Sequence, residues 1–348
     1  MSSRHASAKG DHYVNLVTGG NGFLALHIIQ HLLIQNYPVR ATLRRLDKAK
    51  AVRQALTNVQ TPHLDRLEFV QADLTTDADW PAAMTGITYV MSVAAPVFVN
   101  GATVTDAVAN TAEAGTLRIL KAAAAAGAKR LVMTANFGAV GFSSPDPTHV
   151  ITEDDWTDPQ QSGLSAYEQS KLLAEKAAWN YVADHNHPFE LVTVNAGAML
   201  GPALDDHVSG SFGLVKRLLT GQATPNLTVS VVDVRDVADI HVRAMTTPAA
   251  ANQRFLAVED HPISMKEIRT LVKTRFPELA DRLPKHFLPN IVINVLAPFS
   301  SAIKEGHLML HLSHHVSNQK ARTVLGWTPL SSAKTAVTEA VKQLKPTL

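Results

Sequence analysis

Two side chains capable of acid–base chemistry stand four residues apart in the segment Ser165-Ala166-Tyr167-Glu168-Gln169-Ser170-Lys171. On a helix this spacing places Tyr167 and Lys171 on one face. Because a lysine ammonium beside a phenol favours the phenolate, we expect Lys171 to lower the pKa of Tyr167. A tyrosine tuned in this way can donate and accept a proton, which suits reversible reduction of a carbonyl. The alternative is a surface tyrosine that covers a lysine stem.

A second informative stretch runs from Val14 to Ala25, where an apolar strand enters a glycine-dense turn and then an apolar segment, Phe23 to Leu33. Gly19 and Gly22 lack a Cβ, so the chain can turn sharply and let a pyrophosphate approach N–H groups at a helix N-terminus. Ala25 is small enough for the helix to pack close to the strand. The stretch predicts a dinucleotide site, although plain strand-to-helix turns can look the same.

The second predicted strand, Val39 to Leu43, ends in Arg44-Arg45. In a protein that binds NAD, an acidic residue near this point usually accepts the ribose hydroxyls, whereas a basic residue can pair with a 2′-phosphate. The first acidic residue here is Asp47, so the sequence favours NADP over NAD. The alternative is that both arginines lie in a solvated loop.

These groups must be positioned by alternating strands and helices. Further strands are predicted at Leu67–Val70, Ile87–Ala95 and Lys129–Thr134, and a helix rich in small residues at Thr103–Ala126. An uninterrupted apolar strand such as Ile87–Ala95 is typical of a parallel sheet covered on both faces. The alternation predicts an α/β fold of the Rossmann type, a doubly wound parallel sheet that binds ligands at the carboxyl ends of its strands.

Composition excludes several classes of function. The chain has 348 residues, 46% hydrophobic and 18% charged, with a net charge of +2 and no cysteine. We therefore expect a globular protein without a nucleic-acid surface, disulfides or Cys-based metal sites, and a cytoplasmic location. Residues 1–12 are polar and predict a flexible tail. The apolar stretch Leu288–Ile303 is interrupted by Asn290, Asn294 and Pro298, which predicts a buried helix and no membrane contact.

Histidine clusters do not predict a metal site. One pair lies on the first helix and one group lies late in the chain, without a carboxylate or cysteine partner at ligand spacing. These residues are His27, His31, His307, His311, His314 and His315.

Taken together, the segments resemble the extended short-chain dehydrogenase/reductase family, and within it the dihydroflavonol-reductase-like aldehyde and ketone reductases. The likeness runs from Val14 to about Leu344. The matching motifs are Thr18-Gly19-Gly20-Asn21-Gly22-Phe23, Val39-Arg40-Ala41-Thr42-Leu43-Arg44, Ala72-Asp73-Leu74, Tyr167 to Lys171, Asp233-Val234-Arg235-Asp236-Val237-Ala238, and Lys320-Ala321-Arg322 with Leu325-Gly326-Trp327.

The resemblance implies an NADP(H) cofactor lying across the sheet, with its adenine near Asp73 and Leu74 and its 2′-phosphate near Arg44. Lys171 would bond the nicotinamide ribose, and Tyr167 would give its proton to the substrate carbonyl as hydride reaches the carbon. The implied cofactor residues are Thr18, Gly19, Gly22, Phe23, Leu24, Arg44, Arg45, Asp73, Leu74, Val93, Ala94, Ala95, Tyr167, Lys171, Ala196, Gly197, Ala198, Met199 and Ser211.

The sequence departs from the family at the end of the fifth strand, where Thr134-Ala135-Asn136 replaces the usual Thr-Ser-Ser. Asn136 aligns with the catalytic serine, and its amide can donate to a developing oxyanion. Thr134 is the nearby hydroxyl alternative, and a third possibility is that Tyr167 works with Lys171 alone. The stretch Asn195 to Met199 resembles the family segment beside the nicotinamide, but a proline is usual in place of Ala196. We therefore expect this wall of the cofactor site to be looser.

Loop-rich segments after the strands would build the substrate site. The resemblance implies a dinucleotide-binding domain at 13–195, to which 229–258 return, and a smaller, mostly helical substrate domain from 196–228 and 259–348. Candidate apolar pocket residues are Phe98, Phe137, Phe142, Met199, Leu204 and Phe212.

Three functions remain open at this stage. The first is NADPH-dependent reduction of a small ketone or aldehyde by a monomer or homodimer. The second is a nucleotide-sugar epimerase or dehydratase, which would usually hold NAD and need a basic pocket. The third is a dinucleotide-sensing protein without catalysis, which the altered Asn136 keeps open.

Overall fold

The computed structural model describes residues 14–95 and 106–345. The predicted tail at 1–12 and the pocket candidate Phe98 lie outside these residues. The strands are β1 (Val14–Val17), β2 (Val39–Leu43), β3 (Leu67–Gln71), β4 (Ile87–Ser92), β5 (Arg130–Asn136), β6 (Val150–Ile151), β7 (Glu190–Ala196), β8 (Ala198–Leu200), β9 (Thr228–Val229), β10 (Val231–Asp233), β11 (Arg254–Ala257), β12 (Ile263–Ser264) and β13 (His315–Val316).

Helices alternate with these strands. They are α1 (Phe23–Ile34), α2 (Ala49–Asn58), α3 (Trp80–Met84), α4 (Asp106–Ala125), α5 (Gly138–Gly141), α6 (Ala166–Asp184), α7 (Phe212–Leu219), α8 (Val234–Thr246), α9 (Met265–Arg275), α10 (Asn290–Leu296), α11 (Ser301–Leu310), α12 (Gln319–Leu325) and α13 (Ala333–Leu344). Short 3-10 turns lie at Leu46–Lys48, Leu64–Arg66, Pro248–Ala250, Pro277–Arg282 and Ala297–Phe299.

Seven strands form one parallel sheet in the order β11-β7-β5-β4-β1-β2-β3. Helices α1 and α8 pack together on one side, and α4 packs on α6 in a second hydrophobic cluster. Five of the six residues of β4 are buried because helices cover the sheet on both faces. The predicted doubly wound α/β fold is confirmed.

The chain after β7 contains α7 to α13 and most of the strands that form three smaller pairs. β8 pairs with β10 in parallel, β9 pairs with β12 in antiparallel, and β13 pairs with β6 in parallel. Between these pairs the chain returns to the large sheet, because β11 pairs with β7 and α8 packs on α1. The domain limits drawn from the sequence stay a prediction.

The expectation of a buried helix at Leu288–Ile303 is wrong. The stretch is divided into α10, the 3-10 turn Ala297–Phe299 and the beginning of α11. Pro298 lies in that turn, where it lacks the N–H that a continuing helix would use. Ile291 is 70% exposed and Val295 62%, so this face of α10 lies on the surface, and Phe299 in the following turn is 83% exposed. Within the described residues, the helices are too short or too polar to cross a membrane.

Candidate active site

The glycine turn joins β1 to α1 with the geometry expected for a dinucleotide cradle. Gly19 has φ +66°, in the left-handed region that favours glycine. A Cβ on Gly20 would lie 2.7 Å from the Cβ of Ala41, so only glycine allows this approach to β2. Gly22 precedes the first turn of α1 without a side-chain cap, and that turn holds no acidic residue. N–H groups of this turn are therefore available to an anionic ligand.

Thr18 ties this turn to the end of β4. Its buried hydroxyl accepts hydrogen bonds from the N–H groups of Val93, at 2.9 Å, and Ala94, at 2.8 Å, and donates to the Met91 carbonyl. The Cβ position of Gly19 would lie 3.1 Å from the Ala94 Cβ. The structure thus brings the turn together with Val93, Ala94 and Ala95, whereas Phe23 and Leu24 are buried at the beginning of α1.

Asp73 and the two arginines lie at the ends of β3 and β2. Arg45 is ion-paired with Asp47 at 2.5 Å. Arg44 is exposed, and its side chain makes no hydrogen bond to the described part of the chain. Asp73 accepts hydrogen bonds from the N–H and hydroxyl of Thr75, which lower its pKa, and the charge of Arg44 acts in the same direction. Leu74 packs against Gly115 of α4.

The catalytic candidates stand at the beginning of α6. Ser165 caps this helix by accepting a hydrogen bond from the Glu168 N–H. Tyr167 lies in the first turn and is 40% exposed. Lys171 follows one turn later, with its Nζ 5.8 Å from the centroid of the Tyr167 ring. The predicted common face of the two side chains is therefore present.

Asn136, the last residue of β5, faces Tyr167. Its Oδ1 accepts a hydrogen bond from the Gly138 N–H, and its side chain is hydrogen-bonded to Tyr167. Because Oδ1 is occupied by Gly138, the Nδ2 donor is the atom directed toward the phenol. The hydrogen bond with Gly138 therefore fixes the orientation of the amide beside Tyr167.

Thr134 has a different role from the one considered for it. Its hydroxyl lies 2.8 Å from Nε2 of the buried His241, whose Nδ1 bonds the Val237 carbonyl at 2.8 Å. Burial lowers the pKa of His241 to about 4, so the ring is neutral and accepts the Thr134 proton. The Thr134 hydroxyl is therefore committed to α8, which leaves Asn136 as the donor beside Tyr167.

The expectation that Lys171 lowers the pKa of Tyr167 is wrong for this structure. Desolvation and the nearby Glu168 carboxyl raise the pKa of Tyr167 to about 12, and the hydrogen bond from Asn136 opposes them. Burial also lowers the pKa of Lys171 itself to about 8, partly offset by Glu168. Residue spacing showed the pair but not the burial of its charged ends or the neighbouring carboxyl.

Two buried carboxylates were missed in the sequence. Glu168, between Tyr167 and Lys171 in the motif, has a buried Oε2 without a hydrogen-bond partner in the described residues. Glu175, one turn beyond Lys171, is fully buried and accepts hydrogen bonds from Arg254, Thr193 and Asn195. No sequence pattern marks a glutamate on a helix as buried, so neither could have been found by spacing.

The Glu175 network holds three elements of the site in register. Arg254 of β11 pairs with Glu175 at 3.0 Å and stacks on Trp156, with its guanidinium carbon 3.7 Å from the ring centroid. Asn195 of β7 donates to Glu175 at 2.7 Å and to the Asn136 carbonyl at 3.2 Å. Helix α6, the end of β5 and the end of β7 are thus connected by one buried set of hydrogen bonds.

The implied cofactor residues from Ala196 to Met199 lie at the end of β7 and the beginning of β8. Gly197 donates to the Ala257 carbonyl at 3.0 Å and Ala198 to the Ser230 carbonyl at 2.8 Å. A Cβ on Gly197 would lie 2.5 Å from the Ser230 oxygen, so glycine is required there. Ala196 is buried, and the looser wall expected from the absence of a proline there stays a prediction.

The pocket candidates separate into two groups. Phe212 is 2% exposed and stacks edge-on against Phe23 with centroids 5.5 Å apart, which makes it core packing. Phe142 is also buried. Partly exposed candidates are Phe137, Met199 and Leu204, and Ser211 lies at the N-terminus of α7.

Histidines on α1 have structural partners. His27 is buried and lies 2.9 Å from the Pro202 carbonyl, and burial lowers its pKa to about 4. His31 lies 3.5 Å from Asp239. In residues 14–95 and 106–345, no group of three or more His, Cys, Asp or Glu could hold a metal ion.

The sequence and the fold of the chain are similar to those of known proteins. The profile of the NAD dependent epimerase/dehydratase family matches residues 15–257. Cinnamoyl-CoA reductase 1 of Arabidopsis thaliana is 33% identical over 75% of this chain and 74% of its own. Ketoreductase azaE of Aspergillus niger is 29% identical over 94% of this chain and 96% of its own. The structure of yeast methylglyoxal/isovaleraldehyde reductase Gre2 complexed with NADPH has a TM-score of 0.76 at 23% identity, covers 96% of this chain and 99% of that chain, and shows a shared fold.

Proposed function

Since the chain belongs to the NAD dependent epimerase/dehydratase family, we propose that it is an NADPH-dependent reductase of small ketones or aldehydes. The observation that carries this proposal is the pairing of Tyr167 with Asn136. The phenol and the amide Nδ2 are hydrogen-bonded to each other, so two hydrogen donors meet at one point beside the end of β5. A carbonyl oxygen placed there would receive both donors.

The residues at the glycine turn fit an NADPH cofactor. The uncapped first turn of α1 offers N–H groups to the pyrophosphate, and Gly20 lets the turn pack closely against Ala41 of β2. Arg44 is exposed and lacks a carboxylate in ion-pair contact among the described residues, so its guanidinium is available to a 2′-phosphate. Arg45 is held by Asp47.

When bound, the nicotinamide supplies the hydride. Tyr167 donates its hydroxyl proton to the carbonyl oxygen, and Asn136 donates a hydrogen bond from Nδ2 to the same oxygen. Lys171, one turn along the helix, would hold the nicotinamide ribose, and its Nζ lies 5.8 Å from the centroid of the Tyr167 ring, where its positive charge stabilises the phenolate that remains. The Glu175 network keeps the three elements that carry these groups at fixed separation.

The substrate class is a modest apolar carbonyl compound. The partly exposed Phe137, next to Asn136 in the chain, and Met199 and Leu204 are the apolar residues that we assign to the substrate pocket. Similar proteins bear the names ketoreductase, cinnamoyl-CoA reductase and methylglyoxal/isovaleraldehyde reductase, which support carbonyl reduction as the reaction.

The test is the absorbance of the reduced nicotinamide with purified protein. NADPH and NADH are compared as donors across aryl ketones, aliphatic aldehydes and keto esters. We expect oxidation of NADPH that depends on added carbonyl and exceeds that of NADH. Binding of a cofactor without oxidation by any member of the panel would overturn the proposal and favour the epimerase or sensing functions.

A further inference from the structure

The Glu168 carboxyl is buried beside the proton-transfer groups but has no role in the proposed reaction. It directly follows Tyr167 and lies three residues before Lys171 on α6. Its Oε2 is inaccessible to solvent and has no hydrogen-bond partner among residues 14–95 and 106–345. An unpartnered carboxylate oxygen inside a protein is costly, so its retention next to a catalytic tyrosine calls for a physical explanation.

The carboxyl fits into a space that glycine leaves open. A Cβ on Gly138 would lie 1.9 Å from Glu168 Oε2 and 2.8 Å from Asn136 Oδ1. Because Gly138 has no side chain, the carboxyl of Glu168 and the amide of Asn136 both lie close to its Cα. A side chain at residue 138 would exclude the Glu168 carboxyl from this space. The buried position of Glu168 therefore requires glycine at residue 138.

Titratable groups of two helices lie near Glu168. Tyr167 and Lys171 lie on its own helix, and Glu305 approaches from α11. Burial and Glu305 raise the pKa of Glu168 to about 8, and Lys171 opposes them. Glu305, whose own pKa is raised by burial, is hydrogen-bonded to Ser165 at the beginning of α6. No side chain of α5 that faces the carboxyl is titratable, because the contact there is Gly138.

We propose, on the basis of the proposed reductase function, that Glu168 is a positioning residue that acts through Tyr167 to keep the phenol in its protonated, proton-donating form. Desolvation raises the pKa of Tyr167 above its ordinary value, and the negative charge of Glu168 next to the phenol disfavours the phenolate further. Carbonyl reduction needs the phenol and alcohol oxidation needs the phenolate. Glu168 therefore extends reduction to higher pH and confines oxidation to strongly alkaline solution.

The direct test measures the titration of Tyr167 without turnover. Protein labelled with ¹³C at the tyrosine Cζ is titrated by NMR, and loss of one of the signals of the five tyrosines in Tyr167→Phe assigns the residue. We expect Glu168→Gln to increase the phenolate fraction of Tyr167 at a given pH by about tenfold, equivalent to about one pKa unit. The control is Asp184→Asn, which removes an exposed carboxylate from the last turn of the same helix and should leave the titration unchanged.

An unchanged titration in Glu168→Gln overturns the proposal, because a merely structural role would not shift it. If Glu168→Gln does not fold, the wild-type protein decides: titration of Tyr167 at or below 10, its ordinary value, overturns the proposal. In steady-state assays, the alkaline limb of kcat/KM for reduction and the acid limb for oxidation should both move to lower pH in Glu168→Gln. Failure of the proposed reductase function would give a different result. The protein would not oxidise NADPH, but the pKa of Tyr167 would still change in Glu168→Gln.

Discussion

Asn136 decides whether a hydrogen-bond donor beside Tyr167 is necessary for reduction. We expect Asn136→Ala to lower kcat by about 100-fold, the usual loss on removal of one donor to a developing oxyanion. Asn136→Ser should recover part of this loss, because a hydroxyl can also donate. Steady-state kinetics with NADPH and a carbonyl substrate measure both variants, and cofactor titration by fluorescence serves as the control for binding. Wild-type kcat in Asn136→Ala would remove Asn136 from the mechanism.

Tyr167 is the proton donor in the proposed reaction. Tyr167→Phe keeps the ring and removes the hydroxyl, so kcat should fall by about 100-fold or more. NADPH affinity should remain close to that of the wild type, since the phenol is not one of the residues that hold the phosphates. Equilibrium fluorescence titration with NADPH and stopped-flow absorbance separate the two effects. Normal turnover in this variant contradicts the assigned role.

Arg44 and Arg45 form a matched pair for testing cofactor choice. Arg44 is exposed and Arg45 is engaged by Asp47, so the two variants differ in the availability of the lost charge. Arg44→Ala should raise KM for NADPH by about tenfold or more and leave that for NADH nearly unchanged, because only NADPH carries the 2′-phosphate. Arg45→Ala should have a smaller effect. An equal loss for both cofactors in Arg44→Ala places the phosphate elsewhere.

Single residues of the site were predictable only where backbone geometry or a fixed spacing defines them. Gly19 and Gly22 follow from the sharp turn, and Tyr167 with Lys171 follows from helical spacing. The burial of Glu168 depends on Gly138, which is 30 residues distant in sequence. Its effect on the pKa of Tyr167 therefore could not be deduced from the motif.

Between elements, the Glu175–Arg254 ion pair joins α6 to the edge of the sheet. Both side chains are buried, and Glu175 also bonds Thr193 and Asn195. Arg254→Met leaves the carboxylate without its positive partner and should lower the free energy of unfolding by about 3–5 kcal/mol. Urea denaturation followed by circular dichroism measures this. The control, Lys342→Met in the exposed pair with Glu339, should cost less than about 1 kcal/mol. If the two variants lost similar amounts of free energy of unfolding, the buried pair would contribute no more to stability than the exposed pair.

The limits of the strands were predicted better than the burial of the helices. Val39–Leu43 agrees with β2 in both limits, because β-branched and apolar residues there stand between a proline and two arginines. The stretch at Leu288–Ile303 was apolar enough to predict burial, yet Ile291 and Phe299 are exposed. Hydrophobicity alone does not show which face of a helix meets other elements, and tertiary contacts decide this.

For the whole molecule, buried neutral histidines predict sensitivity to acid. Burial lowers the pKa of His27 and of His241 from 6.5 to about 4. Between these values the unfolded chain binds more protons than the folded protein, so stability falls as the pH is lowered from 6.5 to about 4. Each histidine contributes about 1.4 kcal/mol per pH unit in this window.

Buried carboxyls with raised pKa values act in the opposite direction, as at Glu168 and Glu259, where burial raises the pKa to about 8. The difference between the wild type and His241→Gln isolates the histidine. We expect the free energy of unfolding of this variant to decrease less between pH 6.5 and 5 than that of the wild type, by about 1.4 kcal/mol per pH unit. Urea titrations at both pH values test this, with exposed His63→Gln as the control. Parallel pH dependences in all three proteins contradict the prediction.

The order of the strands along the chain determines when each part of the site is made during synthesis. The chain emerges from the ribosome N-terminus first. β1, β2 and β3 with the glycine turn are complete by residue 71, whereas β5 ends at 136 and β11 at 257. β4 stays an open edge until β5 is made, and β7 until β11 is made. The nascent protein therefore has its glycine turn well before Tyr167, and the edge that β7 presents stays open until β11 pairs with it.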